Sequence, residues 1–176
     1  MGNTENNDTG TQCDDDEQDK STQTASDSMI NYELEMQLGI LANRLLHGSY
    51  WFLILEIIFT SKDLRGLAGC AKQRENVCRE SASSIMSWLM ENMGTVRMAD
   101  IARPDYYVGK EEITAEYAVW TMAALDTWLE QGLRVVVEIV TEQDREAVLV
   151  ELLRKILEEY DDLQLETQTM KDRIFL

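Results

Sequence analysis

Apolar side chains recur at alternating steps of four and three residues along most of the chain after residue 31. This spacing places them on one face of an α-helix. The first run of this kind comprises Leu34, Leu38, Leu41, Leu45, Gly48, Phe52, Leu55 and Phe59. Ser28 or Asn31 can cap its start. The pattern therefore predicts a long helix A, from about Asn31 to Phe59, with one face toward a core.

Helix A carries a second stripe on a different face. Its members are Asn43, Leu46, His47, Tyr50, Leu53 and Ile57. A helix of an isolated bundle needs only one apolar face, so the second stripe predicts a subunit contact in addition to the core.

Three further periodic runs predict helices B, C and D. They cover residues 64–93, 115–139 and 149–170. Ser61 and Asp63 are good caps in the connection before helix B, and Gly94 is the expected C-cap after it. The stripe of helix B is weaker because Arg74 interrupts it. No segment shows the alternation of a β-strand, so the sequence predicts an all-α fold.

The lengths of the connections predict the directions of the helices. Short connections make A antiparallel to B and C antiparallel to D. The segment from Gly94 to about Lys110 contains the only proline, Pro104, and is far longer than a bundle turn needs. It reaches roughly 55 Å when extended, whereas each helix is about 40 Å long. Helices B and C are therefore predicted to run parallel, in a four-helix bundle with one long crossover.

Composition separates an N-terminal tail from the bundle, and the net charge argues against some classes of function. Residues 1–28 are acidic and polar, with Lys20 as the single base, and we expect a disordered acidic tail there. The bundle is expected over residues 29–172, followed by a short C-terminal end at 173–176. The net charge of −17 and the pI near 4.3 argue against binding to nucleic acid or to an anionic membrane.

Location is also predicted from the sequence. The apolar run at residues 51–59 is shorter than the roughly 20 residues that a membrane span needs. Cys13, Cys70 and Cys78 form neither a CxxC pair nor an even disulfide framework, and no secretory signal is recognisable. We therefore expect an intracellular, cytoplasmic protein.

A stretch after helix B carries a family resemblance. Residues 97–105 read RMADIARPD and contain Asp100-Ile101-x-x-Pro104. They resemble the segment after helix B in ferritins, where a D-I-x-x-P pattern recurs. With the helix lengths and the crossover, the resemblance extends over about residues 31–172. It implies a ferritin-like fold.

The resemblance also implies positions for a di-iron ferroxidase centre. Ferritins supply a glutamate from helix A, a Glu-x-x-His from helix B and a glutamate from helix C, with a glutamine from helix D and a tyrosine nearby. Matched in that order, the positions here are Asn43, Cys78 with Ser81, Asp126 (or Ala123 if the crossover carries no insertion), Tyr160 and Tyr50.

These vestigial positions imply that ferroxidase activity is lost. No catalytic residue and no cofactor is predicted, apart from iron if the family role is kept. Glu80 and Asp126 are weak candidates for binding a metal. The acids that line ferritin channels correspond to Val150 and Leu153. The sole histidine, His47, could be a relic ligand, but a hydrogen-bonded histidine is the commoner case.

Two functions follow from these expectations. The first is a ferritin subunit without its own ferroxidase activity that contributes to intracellular iron storage. Its partners would be copies of itself or other ferritin subunits, in homo-oligomers or mixed shells. The alternative is a degenerate ferritin-fold protein with an interaction or structural role and no part in iron metabolism. An active di-iron enzyme is not expected, because too few ligands are present.

Overall fold

A computed structural model describes residues 17–93, 95–101, 114–142 and 147–174, and describes side chains within these ranges from residue 32 to residue 172. By its internal contacts the chain divides into two units, Met1–Glu33 and Leu34–Leu176. The packing described below lies within the second unit.

Four α-helices make up this structure. They are α1 (Glu17–Ser61), α2 (Arg65–Asn92), α3 (Ala115–Glu142) and α4 (Ala147–Ile174), and the described residues contain no strand. They correspond to the predicted helices A to D, so the all-α prediction is confirmed. Helix α1 begins at Glu17, inside the predicted tail. The predicted start near Asn31 depended on apolar periodicity, and residues 17–28 lack that periodicity. Residues 1–16 of that tail lie outside the described residues.

The turn between α1 and α2 depends on Asp63. Its φ of 57° is left-handed, a conformation that Asp tolerates better than most residues. The amide N–H groups of Asp63 and Leu64 donate to the carbonyls of Thr60 and Phe59, which closes the end of α1. The N-cap of α2 is Leu64, without a side-chain cap. Asp63 therefore ends α1, and the prediction that it caps α2 was wrong. The predicted C-cap, Gly94, lies outside the described residues.

Contacts between helices fix their directions. The pairs that meet are Arg74 with Thr167 and Cys78 with Tyr160 between α2 and α4, and Asp126 with Thr167 and Arg134 with Asp161 between α3 and α4. In both cases rising numbers on one helix meet falling numbers on α4, so α2 and α3 are each antiparallel to α4. They therefore run parallel to each other, and their connection must travel along the bundle. The predicted long crossover is confirmed.

The crossover begins against α1. The Nε of Arg97 lies 3.1 Å from Oε1 of Glu35. A Cβ atom added to Gly39 would lie 2.8 Å from the carbonyl oxygen of Arg97, so the backbones approach closely here because residue 39 has no side chain. Residues 102–113, which include Pro104, lie outside the described part of the chain.

The core forms where the apolar stripes of the four helices meet. On α1 it takes in the predicted first stripe, whose Leu38, Leu45, Phe52 and Phe59 are fully buried. Within the described residues, none of the four helices carries an apolar stretch long enough to cross a membrane.

Candidate functional site

The interior of the bundle contains an arginine. Arg74 of α2 is fully buried, and so are Asp126 of α3 and Thr167 of α4 to within a few per cent of their surface. Burying a charge without a partner is costly, so the partners of Arg74 determine whether the arrangement is stable.

Every N–H of the Arg74 guanidinium has an acceptor. Nε donates to Oδ2 of Asp126 at 3.1 Å, and Nη1 donates to Oε2 of Glu166 at 2.9 Å and to the carbonyl of Cys70 at 3.2 Å. Nη2 donates to Oγ1 of Thr167 at 2.5 Å and to the carbonyl of Leu163 at 2.7 Å. These five bonds use the full donor capacity of an arginine. The group Arg74, Asp126, Glu166 and Thr167 is called the interior ion network below.

The hydrogen-bonding capacity of the Asp126 carboxylate is used less completely. Its Oδ2 accepts from Arg74 and from the hydroxyl of Thr167 at 2.9 Å. Its Oδ1 is buried and has no hydrogen-bond partner among the described residues. Burial raises the pKa of Asp126, and Arg74 and Thr167 oppose that rise. Burial alone would lower the pKa of Arg74, but the charge of Asp126 and the hydrogen bonds to Asp126 and Glu166 raise it, so Arg74 stays protonated.

A thiol and a phenol form a second buried pair one helical turn away. Sγ of Cys78 lies 2.9 Å from Oη of Tyr160, and both side chains are fully buried. Burial raises the pKa of Cys78 to about 12, and it raises the pKa of Tyr160 well above 10.0, with Cys78 adding to the rise. Both groups are therefore neutral near pH 7, and a neutral thiol is a poor metal ligand.

Helical spacing brings these residues together. Arg74 and Cys78 are four residues apart on α2, and Tyr160, Leu163 and Thr167 follow steps of three and four on α4, so each set shares one face. Three of the sequence-predicted positions, Cys78, Asp126 and Tyr160, lie in this region of the interior. Ser81 is also buried, three residues beyond Cys78 on α2.

The structure does not bring Asn43, Tyr50 or Glu80 into this group. Tyr50 is 43% exposed and Glu80 is exposed. Asn43 lies on the same outer face of α1 as Tyr50, although its Oδ1 is buried without a partner among the described residues. Two residues along a helix correspond to a rotation of about 200°, so a small shift in the assumed register exchanges the inner and outer faces. The inward positions nearby are held by Leu45 and Phe52.

The interior residues do not fit a di-iron centre. Iron in such a site needs several hard carboxylates and imidazoles with open positions. Asp126 is the one fully buried carboxylate in the described part of the chain, and its Oδ2 is engaged by Arg74. The neighbouring groups are a neutral thiol, a phenol and a hydroxyl. Over the described ranges, no three His, Cys, Asp or Glu side chains are grouped so that they could hold a metal ion.

Arg74, Glu166 and Thr167 were not identified as site residues from the sequence. The available signal was the interruption of the helix B stripe by Arg74, a charge at a core-facing position. Glu166 and Thr167 gave no such signal, because polar residues near the end of an amphipathic helix are ordinary. Only the packing of α4 against α2 shows that they bind Arg74.

His47 belongs to an aromatic cluster between α1 and α3. Its Nε2 accepts a hydrogen bond from Nε1 of Trp51 at 2.8 Å, and its ring meets the edge of Trp128 at 5.7 Å. The Arg44 guanidinium lies 4.2 Å from the Trp128 ring centre, in space left open by Gly132, where a Cβ atom would lie 2.9 Å from the Arg44 side chain. His47 is therefore a half-buried, hydrogen-bonded histidine in this structure.

The outer side of α1 exposes large apolar residues. Its exposed members, called the outer stripe of α1 below, are Met36, Ile40, Tyr50, Leu53 and Ile57, each between 39% and 56% exposed. Of the predicted second stripe, Tyr50, Leu53 and Ile57 are exposed, whereas Leu46 packs against the core and His47 contacts Trp128 of α3. Helix α1 therefore has one apolar face in the core and exposed apolar residues on another side, and the predicted subunit contact stays a prediction.

Comparison with known proteins supports the fold. No protein-family model matches the chain, and no curated protein matches it in sequence. Among solved structures, an open pore ferritin from the hyperthermophilic archaeon Archaeoglobus fulgidus is similar with a TM-score of 0.69 and 13% identity, over 81% of this chain and 84% of that chain. A form of that ferritin engineered to be closed gives a TM-score of 0.68 and 14% identity, over 80% of this chain and 82% of that chain. The chain therefore has a ferritin-like fold.

Proposed function

We propose that this protein is a non-catalytic subunit of a ferritin-type assembly and that it contributes to iron storage without oxidising iron itself. Iron would be the cargo of the assembly. The partners would be further copies of this chain or ferritin subunits that carry out the oxidation.

The interior of the bundle is the observation that carries this proposal. A ferritin-like fold places four helices around an interior where metal ligands can converge. Here that interior holds the ion pair of Arg74 with Asp126 and the neutral, hydrogen-bonded pair of Cys78 with Tyr160. The fixed positive charge of Arg74 beside Asp126, the one fully buried carboxylate in the described ranges, disfavours the approach of a second cation. Such an interior suits a subunit that builds a shell more than one that binds and oxidises Fe²⁺.

The outer stripe of α1 supports assembly. Contiguous exposed apolar patches commonly mark protein–protein contacts. The stripe follows one side of α1, and the side-chain ridges of one helix can pack into the grooves of another. An oligomer could cover it, which accords with the oligomeric role proposed for the chain.

Two measurements test the proposal on the purified full chain. Size exclusion with light scattering should give the mass of a many-subunit assembly, either for this chain alone or after co-expression with an active ferritin subunit. Aerobic oxidation of Fe²⁺ should proceed at the rate of buffer with this chain alone and at the enzymatic rate with the active subunit. Stoichiometric Fe²⁺ oxidation by this chain alone would overturn the non-catalytic role.

The buried position of Leu153 favours a second candidate, an interaction or structural protein without a role in iron storage. By the resemblance, Val150 and Leu153 stand where ferritin channels carry acids. Both side chains are hydrocarbons and offer no carboxylate to iron. Leu153 is fully buried in the core, and Val150 is partly buried. A monomer or dimer that neither joins active ferritin subunits nor copurifies with iron would favour this candidate.

A further inference from the structure

The outer stripe of α1 has the spacing of a surface on which two helices pair. Three of its exposed members, Met36, Tyr50 and Ile57, belong to one seven-residue repeat. The half-buried Asn43 occupies the remaining position of this repeat. A seven-residue repeat keeps side chains aligned along one side of a helix, and it is the spacing with which two helices pack along their length. The stripe can therefore pack against another helix over about 30 Å.

Charge is scarce on this part of α1. In a chain with a net charge of −17, residues 36–57 contain one acid, Glu56, and one base, Arg44. Both are engaged within the chain, since Oε1 of Glu56 lies 3.2 Å from Nζ of Lys72 and the guanidinium of Arg44 lies over the Trp128 ring. Chains of the same strong net charge repel each other. Along residues 36–57, two copies can approach without opposing their carboxylates, so this part of the surface suits contact between copies.

The order of residue types along the stripe is self-complementary. Consider a second copy of α1 laid antiparallel on the first, with the midpoint of the contact at residues 46–47. Met36 then faces Ile57 of the second copy, and Ile40 faces Leu53 of the second copy. Each contact occurs twice, because the same surface is used on both chains. Apolar side chains therefore meet apolar side chains at both ends of the contact.

The centre of the stripe matches in the same arrangement. Asn43 faces Tyr50 of the second copy, so an amide meets a phenol hydroxyl that can exchange a hydrogen bond with it. A displacement of the second copy by one turn in either direction would bring the polar Ser61 or Gln37 opposite an apolar member of the stripe. The arrangement centred on residues 46–47 is therefore the register in which every aliphatic residue of the outer stripe has an apolar partner.

We propose that the partner of the outer stripe is a second copy of this chain, packed antiparallel about a two-fold axis that passes between residues 46 and 47. A self-complementary surface fits a second copy of itself better than an unrelated subunit. Two stripes, whose members are each between 39% and 56% exposed, together cover on the order of 1,000 Å², which is at the lower end for a specific interface. This inference rests on the proposed function and deepens it, because it names the partner and the register of one contact in the assembly.

The test introduces two cysteines that meet only in this register. In the double variant Asn43→Cys with Tyr50→Cys, each new thiol faces the other substituted position of the second copy. Within one chain the two positions lie about 10 Å apart along α1, which is beyond the reach of a disulfide. The two single variants are also made. Across the axis, two copies of position 43, or of position 50, again lie about 10 Å apart, so neither single variant should cross-link.

The matched control is Met36→Cys with Asn43→Cys. It carries two new thiols on the same stripe with the same separation of seven residues, but none of them faces another in the proposed register. The wild type gives the background from the native Cys13, Cys70 and Cys78. All forms of the full chain are oxidised mildly at equal concentration, and covalent dimers are measured on non-reducing gels. Circular dichroism checks that each variant is folded, and light scattering gives the mass of the wild type.

The double variant at positions 43 and 50 should form at least about tenfold more covalent dimer than the matched control, because only its cysteines come within the roughly 7 Å between Cα atoms that a disulfide can span. The single variants and the matched control should stay near the background of the wild type. If the double variant loses its helical circular dichroism, Ile40→Cys with Leu53→Cys tests the same register, since these two positions also face each other across the axis.

Other results would overturn the inference. Equal cross-linking of the double variant and its matched control would mean that the contact has no fixed register. If the folded double variant does not cross-link while the wild type forms a many-subunit assembly, another surface makes the contact, and the proposed function stands. Cross-linking in register by a chain whose mass stays that of a dimer, alone and with an active ferritin subunit, would support the inference and contradict the proposed function.

Discussion

The interior ion network and the outer stripe of α1 reverse the usual distribution of polar and apolar groups. The network places a fully buried Arg74 inside the bundle, and the stripe places Ile40 and Ile57, each more than half exposed, on its outside. The two regions also differ in how fully their side chains are paired or covered within this chain. Every N–H of Arg74 has an acceptor within this chain, whereas the residues of the stripe find no comparable cover in the described residues.

The difference shows which region has its groups paired within a single chain and which does not. A buried charge without partners would destabilise the fold of the single chain, so the network has to be complete before any assembly occurs. An exposed apolar side chain costs little in a monomer, because water tolerates single apolar groups at a surface. The network therefore contributes to the stability of the single chain, whereas the stripe is available for the assembly proposed above.

The sharpest test uses two adjacent residues on opposite faces of α1. Leu41 is 1% exposed in the core, and Ile40 is 54% exposed in the outer stripe. Leu41→Asp buries an unpaired carboxylate and should cost about 4–5 kcal/mol of unfolding free energy, enough to prevent folding in many domains. Ile40→Asp should keep the helical fold and lower the mass in solution. Circular dichroism and light scattering distinguish the two outcomes. Similar melting temperatures for both variants would contradict the two-faced description of α1.

A smaller effect is expected from two glycines that differ in their surroundings. Gly39 of α1 faces the carbonyl oxygen of Arg97, whereas a Cβ atom at Gly69 of α2 would meet no atom within 4 Å. Gly39→Ala should cost about 1–3 kcal/mol, because the backbone of the crossover must move. Gly69→Ala should stabilise the chain by up to about 1 kcal/mol through helix propensity. Denaturant unfolding measures both. A neutral Gly39→Ala would mean that the crossover does not pack on α1.

A further effect concerns the pH dependence of the interior. The pKa of Cys78 is about 12 in the folded chain, against an ordinary value of 9.0. Between these values the unfolded chain releases a proton that the folded chain retains, so the free energy of unfolding falls as the pH rises. The slope for one such proton is about 1.4 kcal/mol per pH unit.

Cys78→Ser removes the thiol contribution to this slope, together with the part of the rise in the pKa of Tyr160 that comes from Cys78. Serine keeps a hydroxyl beside Tyr160 but does not titrate. Above about pH 9 the free energy of unfolding should therefore fall less steeply with pH in Cys78→Ser, and the difference in slope should be at most the contribution of one proton. Cys70, whose pKa burial also raises, is unchanged in both forms and cancels from the comparison. Equal slopes for the two forms between pH 9 and about pH 11 would contradict the buried pair of Cys78 and Tyr160.

The sequence determined the elements and their order. The apolar periodicity of each helix is a local property of the chain, and the lengths of the connections limited the directions that the helices could take. The parallel arrangement of α2 and α3 followed from the long segment after Gly94, and the two faces of α1 followed from its two stripes. These features could be predicted because they depend on spacing along one chain.

The tertiary structure alone decided which residues meet in the interior. Asn43 and Tyr50 were expected beside Cys78, but a register difference of two residues turns a helical side chain to the other side, and only packing fixes that register. Arg74 looked like an interruption of a stripe, and Glu166 and Thr167 looked like ordinary surface residues. Their partnership spans about 90 residues of sequence, and a hydrogen bond between such distant groups depends on how whole helices are placed against one another.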